Sequence, residues 1–144
     1  MAKWIRNQYD KALTYENLMN AHKMSKKGKG LRREVILFSL KEEEYIEYLY
    51  EKLKTGTYVH GKYSAFKVYE PKERIIEKAP YIDRIVHRWI VDNFLVPYYV
   101  PSFIKTTYAC IKGRGMHQAT LDLQKAMQKM KKSYREYYIL KMDV

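Results

Sequence analysis

Lys72 and Arg74 stand two residues apart in Glu70-Pro71-Lys72-Glu73-Arg74, between two stretches of strand-like sequence. At that spacing two side chains leave one face of a strand together. Arginine offers a planar fork and lysine a mobile point charge, a combination suited to a polyphosphate. An alternative assignment pairs both cations with Glu70, Glu73 and Glu77. Asp143 follows Ile139-Leu140-Lys141-Met142, an apolar run carrying one charge. A carboxylate at the C-terminal end of a buried strand can hold a divalent cation rigidly, and a turn or cap is its other common use. Lys112-Gly113-Arg114-Gly115 precedes a predicted helix, where glycines allow close backbone approach and the helix start favours phosphate. The pattern is not GxxxxGK[ST], so it reads as a nucleic-acid backbone contact or a solvated turn. His87 and His117 fall on predicted helices with only Asp83 at ligand spacing, so His87 reads as a packed or rim histidine. Asp83-Arg84 at a helix start reads as a dipole and ion-pair device. Cys110 reads as a small buried residue.

These residues need elements to position them. Residues 3–24 read as helical, with Thr14 a candidate N-cap, and the basic run Lys26-Lys27-Gly28-Lys29-Gly30 breaks the pattern as a solvated loop or a phosphate contact. Ser39-Leu40-Lys41-Glu42 has capping-box spacing, Ile46, Leu49 and Leu53 keep helical period, and Gly56 ends that helix. From Tyr63 the period becomes two, as in a half-buried strand. Pro71-Lys72-Glu73 is a turn and Arg74 to Glu77 the return strand of a hairpin. Pro80 restarts a helix with an apolar stripe through Ile82, Ile85, Val86, Trp89, Ile90 and Phe94, ending before Pro97. Met116, Ala119, Leu123, Ala126, Met127 and Met130 form another stripe that reads as core, and residues 137–144 read as a strand. The fold class is α+β with helices dominant. A buried-looking strand that stops one residue after an aspartate lacks its sheet neighbours. The chain is therefore expected to be an N-terminal segment of a longer protein.

Composition narrows the partners. The 144 residues carry 28 Lys and Arg against 16 Asp and Glu, a formal charge of +12. An excess that large on a small chain points to a polyanion, and nucleic acid is the commonest. Fifteen tyrosines support stacking on bases as well as packing in a wet core. One cysteine excludes an intramolecular disulfide framework and fits a reducing compartment. The longest apolar stretch, residues 90–100, falls short of the roughly 20 a spanning helix needs. No membrane partner and a cytoplasmic location are expected.

In order, these segments resemble the start of a bacterial reverse transcriptase of the retron, group II intron or diversity-generating retroelement type. The resemblance is carried by Gly56-Thr57-Tyr58, by residues 66–76, by residues 79–87 from Ala79-Pro80-Tyr81 to His87, by residues 107–119 and by Leu140-Lys141-Met142-Asp143-Val144. It implies an N-terminal helical extension over 1–30, a helix-rich fingers subdomain over 31–136 and the first palm strand over 137–144. It also implies that Lys72 and Arg74 hold the phosphates of the incoming deoxynucleotide (dNTP). Asp143 would be the catalytic metal ligand, with the carbonyl of Val144 nearby and Mg²⁺ as the cofactor, two ions in the parent enzyme. The implied partners are an RNA template, a DNA or RNA primer, and the rest of the palm and thumb. Residues through Val144 supply one catalytic carboxylate where two-metal phosphoryl transfer needs at least two. By itself this stretch is expected to be inactive. The reading from another class is a non-catalytic basic RNA- or DNA-binding module.

Overall fold

The computed structural model describes residues 6–142, which form a helix-rich α+β protein with one two-stranded antiparallel hairpin. It divides into two compact units, one running to Tyr98 and the other from Tyr99. The resemblance implies divisions at 30/31 and 136/137; the helices before residue 31 contribute Ala12, Leu18 and Ala21 to the core of the first unit.

In that unit the expected helix over 3–24 is two: α1 (Gln8–Ala12) and α2 (Tyr15–Lys26), with residues 3–5 outside the described residues. Thr14 adopts extended backbone and its Oγ1 accepts from Asn17 N at 3.1 Å, so a new helix starts there. α3 (Arg33–Ser39) and α4 (Glu42–Lys54) follow. Ser39 does not cap α4 as expected. It is the last residue of α3, its hydroxyl is buried without a partner, and Lys41 holds the cap position. The carboxylates Glu42, Glu43 and Glu44 still occupy the first turn, where the helix dipole favours them. Gly56 ends α4 as expected, at φ +67°. Gly56 N–H bonds to Leu53 O and Thr57 N–H to Lys52 O, which satisfies the last carbonyls.

β1 (Ser64–Val68) pairs with β2 (Arg74–Lys78), and α5 (Tyr81–Ile90) starts after Pro80. The apolar stripe of α5 buries Ile85, Val86 and Trp89 against Leu18 of α2, Val35 and Phe38 of α3, and Ile46 and Leu49 of α4. The helix does not stop before Pro97. A π-type turn over Val91–Leu95 leads into α6 (Val96–Tyr99). Proline lacks the N–H of an α-ladder and crowds the carbonyl four residues back, and the widened turn stands where that conflict falls. Asn93 Nδ2 donates to Trp89 O at 2.9 Å within it.

Two polar anchors lock the core. Trp89 is 1% exposed and its Nε1 donates to Ala12 O at 2.9 Å, while Tyr9 OH donates to Leu53 O at 2.8 Å. His22 is fully buried, stacked on Phe38, with Nδ1 3.1 Å from Tyr81 OH. Its Nε2 lies 3.2 Å from a Glu42 carboxylate oxygen but off the line of a hydrogen bond. Burial lowers the His22 pKa, against the raising effect of Glu42, so the ring is favoured neutral.

In the second unit α7 (Met116–Ser133) forms as expected, but none of its residues is buried. Its stripe is not core, and Met116 is 85% exposed. Periodicity assigned the face correctly, but the unit has too little other structure to cover it. Residues 137–142 carry no strand, and Asp143 and Val144 lie outside the described residues. Cys110 is exposed at φ +58°, in a turn rather than a core.

Candidate nucleic-acid interface

The hairpin is exposed along both strands, not half-buried as the alternation implied. A two-stranded ribbon with no layer beneath it offers both faces to solvent. Its register pairs Val68 with Arg74, Phe66 with Ile76 and Ser64 with Lys78, so these six share one face. Lys67, paired with Ile75, points to the other face, and its Nζ meets Glu73 Oε1 at 2.6 Å.

Lys72 and Arg74 are not two positions of one strand. Lys72 lies in the turn after the cis Glu70–Pro71 peptide, and Arg74 opens β2. Among the described residues neither makes a hydrogen bond or ion pair with another. Glu73, between the two in sequence, is engaged by Lys67 instead, so the expected alternative of local pairing is not seen among the described residues. The ribbon's tip therefore presents two unneutralised cations beside the exposed ring of Phe66.

The base of the ribbon is held firmly. Glu34 of α3 accepts from Lys78 Nζ at 2.8 Å and from Arg84 Nη2 at 2.5 Å, joining β2, α3 and α5. Burial would raise the Glu34 pKa, but the bonds from Lys78 and Arg84 outweigh it and hold the group below the usual carboxylate range.

A second anchor was not legible in the sequence. Asp83 is 1% exposed, and the ion pair with Arg84 that the sequence suggests does not form, because Arg84 pairs with Glu34 instead. Its Oδ1 accepts from Tyr58 OH and its Oδ2 from Gly61 N at 3.0 Å. A Cβ at Gly61 would sit 2.9 Å from Pro80 Cγ and 3.0 Å from that same Oδ2, so only glycine fits. Burial first, then the bond to Asp83 and its charge, push the Tyr58 phenol pKa well up. His60 Nδ1 lies 2.6 Å from Gly61 O, to which it donates, and 3.7 Å from Asp83 Oδ2. His87 Nε2 stands 3.2 Å from His60 Nε2, and the two rings stack at 5.1 Å. His87 is thus a rim residue with a specific task, clamping the segment that feeds β1 onto α5. The partners lie 22 to 27 residues apart in sequence, and no local spacing reports them.

Lys112 and Arg114 belong to the second unit. Lys112 is exposed, whereas Arg114 Nη1 donates to Ile104 O at 3.2 Å and Thr107 O at 3.4 Å. Arg114 thus organises its own loop. On α7, Lys125, Lys129 and Lys132 share one face at i, i+4, i+7, opposite the apolar stripe. Among the described residues no group of three or more His, Cys, Asp or Glu could hold a metal ion, and the expected ligands Asp143 and Val144 fall outside them. Nor, among them, is any helix long and apolar enough to cross a membrane. No protein-family model matches this sequence, and no curated protein matches it.

Proposed function

We propose that the chain forms the fingers and the beginning of the palm of an RNA-directed DNA polymerase. In this reading the tip of the β1–β2 ribbon receives the dNTP phosphates through Lys72 and Arg74. The template–primer lies along the basic surfaces that include Lys112. Asp143, with the Val144 carbonyl, is the metal-binding end, and Mg²⁺ is the ion expected there. The observation that supports the reading best is the ribbon itself. It is an exposed hairpin anchored at its base by Glu34, with two cations at its tip that no carboxylate among the described residues neutralises. Unpaired cations on a rigid support suit a polyanion, because little ordering remains to be done on binding.

The same reading predicts how binding responds to salt. Each phosphate neutralised on a duplex contributes about 0.9 to the slope of log affinity against log salt. With a formal charge of +12, the chain should bind a labelled RNA–DNA hybrid with a steep slope and little sequence preference. Anisotropy titrations at several salt concentrations measure it. A flat response, or no binding at low salt, removes the nucleic-acid role.

A further inference from the structure

Arg84, His87, Arg88 and Val91 recur at i, i+3, i+4, i+7 and form one face of α5 and its continuation, away from the buried Ile85, Val86 and Trp89. Facing them is Lys29, in the turn after α2 where Gly28 takes φ +70°. Together with Tyr81 they line a cavity of about 320 Å³, within the range of small-ligand sites. Among the described residues no carboxylate lines it.

The cations here are only partly satisfied. Arg88 gives its Nε to Asp92 at 2.6 Å. Arg84 gives one Nη to Glu34 and lies 5.1 Å over the Tyr81 ring, while its Nε is buried with no acceptor. The Lys29 ammonium has no partner among the described residues. A buried guanidinium N–H without an acceptor is costly unless something supplies one. The cations around the space call for an anion, and the Tyr81–Arg84 wall gives an adjoining base a flat surface.

We infer that this cavity is a binding site for a nucleotide phosphate ester, separate from the hairpin tip. The inference rests on the nucleic-acid reading above but uses residues to which that reading gives no role. Two sources share the chemistry, a free nucleotide and a phosphate within a strand, and the experiment separates them.

The chain is titrated with a labelled single-stranded RNA by anisotropy. The cavity variant combines Lys29→Gln with Arg88→Gln, and the charge-matched control combines Lys52→Gln with Lys54→Gln on α4. Circular dichroism establishes that all are folded, and Arg84, which supports the fold through Glu34, is left intact. The cavity variant should bind at least tenfold more weakly than the control. Its log–log salt slope should be shallower by about 0.7, since the cavity takes one strand phosphate and a single strand contributes about 0.7 per phosphate contact. In parallel, adenosine 5′-monophosphate is titrated while the His87 ring protons are followed by NMR. Saturable shifts that vanish in the cavity variant assign the site to a free nucleotide. Weakened RNA binding without such shifts assigns it to a strand phosphate. Equal RNA affinity in the cavity and control variants, with no His87 shifts, overturns the site and leaves the nucleic-acid reading standing. If the unmodified chain fails to bind RNA at low salt, the nucleic-acid reading fails. The cavity is then decided by the mononucleotide titration alone.

Discussion

If the proposed polymerase reading holds, Asp143→Ala in the active enzyme should abolish nucleotide incorporation while leaving hybrid binding nearly unchanged. A carboxylate that holds the metal acts on the chemical step, whereas hybrid affinity comes from many dispersed cations. The hairpin variants should behave differently. Removing a charge-assisted contact to phosphate costs about 1.5–3 kcal/mol, so Arg74→Ala should lower kcat/KM for the deoxynucleotide roughly ten- to a hundredfold. Lys72→Ala should do somewhat less, because a flexible ammonium gives up more entropy per contact. Glu73→Ala is the internal control. It breaks only the exposed pair with Lys67, a class of interaction worth about 0–1 kcal/mol. Steady-state nucleotide titrations of the four variants decide the matter. If Glu73→Ala is as damaging as Arg74→Ala, the ribbon's charges serve its own structure and the phosphate role is lost.

Trp89→Ala should be the most destabilising single truncation in the first unit. The indole is 1% exposed, meets Tyr9 and Phe94 edge-on at 5.6 and 5.2 Å, and donates to Ala12 O. Large aromatic-to-alanine changes in cores cost about 3–5 kcal/mol, a large share of the 5–15 kcal/mol that holds a typical domain together. Trp89→Phe should cost less, since it keeps most of the volume and loses chiefly the hydrogen bond. Urea unfolding followed by circular dichroism gives both values. A loss below about 1 kcal/mol for the alanine variant would mean that the α1–α5 contact is not part of the folded core.

What the sequence made legible follows the reach of each signal. The body of helix α4, its glycine stop, the hairpin's turn and the start of α5 are local events, set by period, glycine and proline, and they stand where expected. The burial of those elements was less legible. The stripe on α7 and the alternation in β1 correctly mark which side chains share a face, but not whether another layer covers it. Coverage depends on what else packs there, and period contains no such information. Ser39 shows the same limit at a helix end. Its spacing to Glu42 suits a capping box, yet α3 extends through Ser39 and removes it from the cap. The Asp83 anchor and the Lys29–Arg84–Arg88 cavity join residues distant in sequence, so only the packing of α2 and the 57–63 segment against α5 reveals them.

The chain has only two tryptophans, Trp4 and Trp89, and both precede Tyr99, where the second unit begins. The second unit holds tyrosines and a long helix but no indole. Excitation at the red edge of the absorption band therefore illuminates the first unit alone, and in a Trp4→Phe background the emission maximum tracks Trp89 leaving its niche. Far-ultraviolet ellipticity, by contrast, sums α7 with the rest. The protein thus carries a built-in optical label on one of its halves. Superimposable melts by the two probes would mark a single cooperative transition, and a lag between them would give each half a melting temperature of its own.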